Sequence, residues 1–299
     1  MKHIFIINAI SGKGLANKLV PIIETVIDEL GIDGEIIKTT HPNHAYEIAS
    51  NYHIEDDVTI YAVGGDGTIY EVLNGLNKDV PLAIIPSGSG NDFYRIFNSD
   101  IKDYHKLIVD TIKAPLIRID YGIANDSKFI NTTSIGIDAD ITAYASKLIR
   151  NTFITKGPAY FLSIIKNVII PKAKKLKIQY DNCIEEGEYY ISCIMNGRYY
   201  GNGANSAPNS KLDDGYFDFI ITKKYPIFEV YLLLGKYLKG KHLNDKHFNI
   251  VRAKHIHIES DEILSIQSDG ESIDSNILDI RIIEKGLLFK VPLEYHNKL

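Results

Sequence analysis

The stretch AVGGDGTIYEVLNG, Ala62 to Gly75, puts three glycines and an aspartate where an apolar run gives way to a helical pattern. Glycines at the end of a buried strand let the backbone come close to a bound group. The helix that follows offers free N–H groups to an anion. Gly64, Gly65 and Gly67 therefore suit a phosphate cradle. Asp66 would repel a phosphate, but its hard oxygens suit Mg²⁺, held directly or through water. Together they fit a nucleoside triphosphate with magnesium. A glycine-rich turn with Asp66 capping the helix fits the same residues.

A second junction, PLAIIPSGSGNDFYRIF, again ends an apolar run in small residues. Ser87, Gly88, Ser89 and Gly90 can close around phosphate oxygens, and a helix is expected to start near Asn91 and Asp92, which would cap it or face a substrate. A third loop, NAISGKG, sets Ser11, Gly12 and Lys13 against a phosphate, with Lys13 as the cation. It is not a Walker A loop, because Ile7 stands where the first glycine belongs and Gly14 follows Lys13. The His-Arg-Asp triplet of protein kinases is absent too. Three small-residue loops on successive strand ends are hard to explain as three ordinary turns.

The elements that must position these loops are legible in the first third. HIFIINA, GEIIKTT, VTIYAVGG and VPLAIIPSG read as buried strands. Between them, Lys18 to Leu30 carries a helical apolar face, with Pro21 in its first turns and Gly31 as its stop; HPNHAYEIASNY and Thr68 to Leu76 read as further helices. This alternation predicts a parallel sheet covered by helices. From about Leu116 the texture changes to LIRIDYGIA, KFINTTSIG, KLKIQYDN, GEYYISCIMNG, GYFDFIITKK, HIHIES and ILSIQSDG, an antiparallel, sandwich-like β domain. Helical segments at Asp138 to Ile170, broken at Gly157-Pro158, and at Ile227 to Leu238 interrupt it. The expected domains are 1–120 and 121–287, with the tail 288–299 packing back on the first.

Bulk properties narrow the class. A chain of 299 residues, 45% hydrophobic and 24% charged, favours two globular domains. A net charge of −5 argues against a nucleic-acid binder. Cys183 and Cys193 alone make no disulfide scaffold, which favours a reduced, cytoplasmic setting. No apolar run is long enough for a membrane span, so the expectation is a soluble protein or one bound at a membrane surface. The ten histidines form no metal pattern, and His255 and His257 read as the outward face of a strand.

GGDGTIYEVLNG followed by PSGSGND resembles the diacylglycerol kinase catalytic domain in its bacterial soluble form. NAD kinases share GGDGT and phosphofructokinases a close variant, but PSGSGND separates lipid kinases from both. The resemblance continues through NTTSIGIDA, GNGANSAPNSKLDDGYFD and SDGES, nearly the whole chain. NAISG, where the family usually has Asn-Pro, and Ser89, where threonine is commoner, are mild departures. The resemblance implies an NAD kinase-like nucleotide domain, a β-rich second domain and an active site in the cleft joining them. It implies ATP binding by Asn8, Ser11, Thr39 or Thr40, Gly64, Gly65, Gly67, Thr68 and Ser89, with Asn91 and Asp92 at the cleft. Asp66 would organise magnesium, and Asp213 or Asp214 of KLDDG would hold a second, structural ion unless that segment is a plain turn. By itself SDGES reads as a hairpin turn with two solvated acids; the resemblance makes Asp269 the base and Glu271 its support.

One feature is independent of the resemblance. Between Ile141 and Tyr180 there is no Asp or Glu, while eight Lys and Arg surround the apolar segment PAYFLSIIKNVII. This suits docking on an anionic leaflet, although a buried helix followed by a solvated lysine loop fits as well. The expected function is ATP- and Mg²⁺-dependent phosphorylation of a lipid hydroxyl, diacylglycerol first, a sphingoid base or monoacylglycerol next. Outside enzymes, a nucleotide-binding sensor or membrane scaffold remains, and homodimerisation stays open.

Overall fold

The computed structural model describes all residues except 98, 99, 153, 170 and 299, together with all side chains but theirs and that of residue 156. The chain divides into two compact units, Met1–Tyr121 with Lys211–Gly215 and Ile283–Leu299, and Gly122–Ser210 with Tyr216–Ile282.

The first unit is a parallel α/β sheet. β1 (Lys2–Ile7) lies between β2 (Gly34–Lys38) and β3 (Val58–Gly64), and β4 (Leu82–Pro86) pairs with β3, all parallel. Runs such as HIFII and VTIYAVG are buried throughout, as expected of strands covered on both faces. The helices are α1 (Ser11–Lys18), α2 (Val20–Leu30), α3 (His44–Ser50), α4 (Asp66–Gly75) and α5 (Tyr104–Lys113). Ile23 and Val26 of α2 and Ile108 and Ile112 of α5 pack on Phe5, Tyr61 and Ile85 of the sheet. Each such side chain, fully buried, contributes about 1.5–3 kcal/mol. Pro21 sits at the start of α2, where its missing N–H costs nothing, and Gly31 closes the helix in the left-handed region. Phe289 and Lys290 add a further parallel pairing to β4.

The helix expected at Asn91 and Asp92 does not form. Only a one-turn 3-10 segment, Tyr94–Ile96, follows the loop, because Asn91 is left-handed (φ 52°) and its side chain binds back to Gly88 on both sides.

β5 (Ile117–Ala124) carries the chain into the second unit and pairs with β6 (Ser127–Phe129). The rest comprises β7 (Thr132–Gly136), α6 (Ile137–Asn151), α7 (Lys156–Ile169), β8 (Lys174–Tyr180), β9 (Cys183–Met195), the short hairpin of β10 (Tyr199–Tyr200) and β11 (Ala204–Asn205), β12 (Phe217–Lys223), α8 (Ile227–Leu238), β13 (Asn249–Ala253), β14 (His255–Ser268) and, up to Ile282, β15 (Glu271–Lys290), whose later residues belong to the first unit. β9 and β14 each pair antiparallel with β8 over one stretch and with β7 over the other. Phe129, Ile178, Tyr189, Phe219 and Ile256 build the main core, and a second core under α8 joins Leu233 and Tyr237 to Ile220 and Phe248.

Three expectations change here. α6 ends at Asn151 and α7 begins at Lys156, so Gly157 and Pro158 lie in the first turn of α7, where proline is tolerated. Lys211–Gly215 belongs to the first unit, since Asp120 N–H donates to Leu212 O at 2.6 Å and Gly215 N–H donates to Asp120 Oδ2 at 2.7 Å. β15 is a strand of 20 residues that the sequence did not announce, because few of its side chains are buried.

Candidate active site

In the first unit the three small-residue loops converge by backbone contact. A Cβ added to Gly12 would lie 1.9 Å from Ser87 O, and one added to Gly88 would lie 2.3 Å from Gly65 Cα. A side chain at either position would drive the loops apart. Gly12, Lys13 and Gly14 are three successive left-handed residues (φ 58°, 56° and 88°) at the start of α1. For Lys13 this costs on the order of 1–2 kcal/mol, the kind of strain that concentrates at functional loops. Lys13 and Ser89 are exposed, and Ser11 Oγ lies beside Gly65. Ser87 is fully buried and its hydroxyl has no hydrogen-bond partner.

Asn8 and Thr68 are engaged with each other: Asn8 Nδ2 donates to Thr68 Oγ1 at 3.2 Å, and Thr68 is buried against Gly64, whose missing Cβ leaves it room. Their side chains brace the β1 and β3 loops. Thr39 N–H donates to Ile7 O at 2.9 Å and so ends β2 beside β1. Thr40 N–H donates to His44 Nδ1 at 3.1 Å, at the start of α3. Gly67 is exposed in the first turn of α4.

The acids of this unit form two groups. Gly90, lacking a side chain, admits Asp66 Oδ2 within 2.9 Å of its ideal Cβ position and leaves Asp92 nearby. Burial first, and the Asp92 charge second, push the Asp66 carboxyl up to about 6, while backbone amides of Asp92, Asp66 and Asn91 pull it back. Arg95, which sequence reasoning missed, offsets part of this: Nε stands 3.3 Å from Asp92 Oδ1 and 3.0 Å from Gly90 O. Two adjacent acids with one carbonyl-shared cation fit a divalent ion. In the second group Asp120 is fully buried, and its Oδ1 accepts from Lys285 N–H at 2.6 Å. Burial raises its carboxyl, with Asp214 and Glu284 adding to the effect. Of the KLDDG pair, Asp214 thus joins an acid cluster, whereas Asp213 is exposed. The sequence signal missed was a lone acid in the strand run LIRIDYGIA.

In the second unit Asp269 and Gly270 are the two central residues of the β14–β15 hairpin, both left-handed (φ 47° and 94°). This is the type I′ turn that Asp-Gly favours. The Asp269 carboxylate accepts N–H bonds from Ile130 at 2.7 Å, Asn131 at 3.1 Å and Thr132 at 2.8 Å. It is buried, and both of its oxygens accept from backbone amides. Asp269, the base that the resemblance implies, is thus held within the hairpin by backbone hydrogen bonds. Glu271 is exposed, and its charge reaches the Tyr160 phenol, whose pKa is raised by burial first and by Glu271 second.

The histidines also differ from expectation. Among the described residues His41, His44 and Glu47 bring ligand atoms within 4.8 Å of one another. Thr40 N–H already occupies His44 Nδ1, however, and His41 Nδ1 donates to Pro42 O at 3.0 Å.

A parallel α/β unit with loops closed at its strand ends, followed along the chain by an antiparallel β unit, defines a two-domain α/β plus β-sandwich class. Residues 2–124 match the diacylglycerol kinase catalytic domain, and residues 131–286 match the YegS C-terminal NAD kinase beta sandwich-like domain. The chain belongs to this diacylglycerol kinase family and is a lipid kinase. A diacylglycerol kinase of Staphylococcus carnosus is 27% identical over 284 residues, covering 92% of this chain and 91% of that one. One of Bacillus subtilis is 28% identical over 269 residues, covering 89% and 88%. A crystal structure of a putative diacylglycerol kinase from Bacillus anthracis superposes with TM-score 0.76 at 27% identity over 98% of both chains.

Proposed function

We propose that the protein transfers the γ-phosphoryl group of ATP to a lipid hydroxyl in a Mg²⁺-dependent reaction, with diacylglycerol as acceptor and phosphatidic acid as product. The observation that carries this reading is the backbone convergence of the Gly12, Gly65 and Gly88 loops, which leaves main-chain amides and the strained Lys13 loop for phosphates. Ser11, Gly67 and Ser89 complete the phosphate contacts, while Asn8, Thr68 and Asn91 hold the loops and Thr39 and Thr40 close the β2 end. The names of the relatives support a diacylglycerol acceptor.

Asp66 with Asp92 holds the ion that accompanies ATP, and Asp214 with Asp120 and Glu284 holds a structural one. Magnesium bound with ATP supplies neutralisation of the charge that builds on the transferring group. Glu271 takes the proton of the lipid hydroxyl, while Asp269 fixes the hairpin from which Glu271 projects. The 141–180 tract docks on an anionic leaflet at the cytoplasmic face, although Lys174 is paired with Asp140 at 2.8 Å and Lys177 with Glu259 at 3.4 Å, so fewer lysines serve than the sequence suggests.

The test is transfer of label from γ-labelled ATP into a lipid panel in mixed anionic vesicles with Mg²⁺. Label in diacylglycerol, abolished by chelation, is expected. Label in a sphingoid base or monoacylglycerol alone would move the acceptor, and bound ATP with no labelled lipid would defeat the reading.

A further inference from the structure

α7 is built the wrong way round for a globular helix. Its inward positions are the small or polar Ala159 and Ser163, both fully buried, and Ser163 Oγ donates to Ile141 O at 2.6 Å. Its large apolar side chains point the other way: Phe161 is 63% exposed and Ile169 55%, with Ile165 between them at a spacing of four. A helix that serves a core shows the reverse distribution.

α8, which lies outside the basic tract, repeats the pattern. Leu233 and Tyr237 face the core, while Phe228 is 62% exposed and Leu232 70%, with Tyr231 between them on the same side. The two helices are neighbours, since Tyr231 Oη donates to Ile169 O at 2.9 Å. Six large apolar side chains from two adjacent helices are far more than the scattered exposure usual on a monomer.

Charge selects the occupant. α7 carries no acid, and Lys147, Arg150 and Lys172 of the flanking segments are exposed. The single acid of α8, Glu229, is taken by His247 Nε2 at 2.9 Å. Lys166 Nζ lies over the Tyr144 ring, 3.5 Å from its centroid, and Lys239 is exposed just past the end of α8. An apolar strip with cations and no free acid on its helices matches an anionic bilayer. A second copy of this face would instead bring like charges together.

We propose that α7 and α8 form one bilayer-inserting face, with Phe161, Ile165, Phe228 and Leu232 entering the acyl region and the lysines confined to the headgroups. The proposal deepens the lipid-acceptor reading and rests on it for its purpose. It differs from electrostatic docking by the basic tract, because apolar insertion survives salt.

The chain has no tryptophan, so Phe161→Trp and Phe228→Trp each give a single reporter. With phosphatidylglycerol-containing vesicles, both are expected to shift to shorter wavelength and to be quenched by brominated acyl chains. Flotation is expected to persist in high salt and to fall about tenfold or more in Phe161→Ser/Ile165→Ser and in Phe228→Ser/Leu232→Ser. Melting curves equal to wild type would show that these variants fold. A silent reporter on either helix, flotation unchanged in the serine pairs, or a wild-type dimer that the serine pairs dissociate would overturn the proposal. Transfer of label to short-chain diacylglycerol in micelles separates the two readings. Transfer with silent reporters defeats the inserting face alone, and quenched reporters without transfer defeat the kinase reading alone.

Discussion

Asp269 and Thr132 bind each other from both sides: Thr132 N–H donates to Asp269 Oδ1 at 2.8 Å, and Asp269 N–H donates to Thr132 O at 2.9 Å. The acid of the hairpin is thereby tied to the start of β7, and Asn131, just before Thr132, also lends its N–H. Glu271, the first residue of β15, is exposed.

The two carboxylates are thus expected to fail differently. Asp269→Ala would orphan three buried amides, at a cost of roughly 3 kcal/mol, and lower the melting temperature. Glu271→Gln would melt like wild type and lose about 10²- to 10⁴-fold in kcat. Thermal melts beside label transfer check the pair. A Glu271→Gln enzyme with normal kcat would return the base to another group.

On the proposed assignment, divalent-ion binding at Asp66 should depend on pH. Its carboxyl titrates near 6, above the ordinary 3.8, so the native state holds this proton more tightly than the unfolded chain does. The sign follows: the group favours the metal-free native state as pH falls through about 6 and weakens it above that. Mg²⁺ needs the ionised form, so its affinity should drop from pH 7.5 to pH 5.5. Asp66→Asn should melt higher than wild type without metal at pH 8, and gain nothing from added Mg²⁺. Calorimetric titration at the two pH values decides; equal affinities at both would remove Asp66 from the site.

Much of the first unit was legible because its signals are local. Fully apolar strands, the α2 stripe and Gly31 each specify structure within a few residues. What stayed hidden depends on partners far along the chain. The sequence leaves Asn91 as a helix cap or a substrate-facing residue, because it does not disclose that its side chain returns to Gly88. By itself SDGES reads as a turn with two solvated acids, and only the turn conformation shows that Asp269 is buried while Glu271 is exposed. Asp120 needs Gly215 and Lys285, 95 and 165 residues away, and no motif links them. α8 was found from its apolar run, yet nothing local said that half of that run faces outward.

Glycine contacts at the loops give a matched comparison. Gly12→Ala and Gly14→Ala both place a side chain on a left-handed backbone, but only Gly12 meets an obstacle, Ser87 O at 1.9 Å. Gly14→Ala should therefore cost about 1–2 kcal/mol. Gly12→Ala should cost a further 1–3 kcal/mol of overpacking and weaken ATP binding at least tenfold. Urea melts and nucleotide titration read both effects. Identical losses in the two variants would mean that the loops separate freely and are not a built cradle.

His3 sets a limit on acid stability away from these loops. It is buried, its Nδ1 lies 2.8 Å from Tyr61 Oη, and burial, with the Lys290 charge second, lowers its pKa from 6.5 to about 4. The unfolded chain protonates this ring below about pH 6.5 while the native state does not until about pH 4, so stability falls as pH drops through that window. The loss from this one residue is on the order of 3 kcal/mol when complete. Urea unfolding at pH 7 and pH 4.5 should show that loss in wild type. The His3→Gln variant, which keeps a polar partner for Tyr61 but cannot titrate, should show a correspondingly smaller drop. An unchanged drop would assign the acid sensitivity to other groups and place the His3 ring in contact with water.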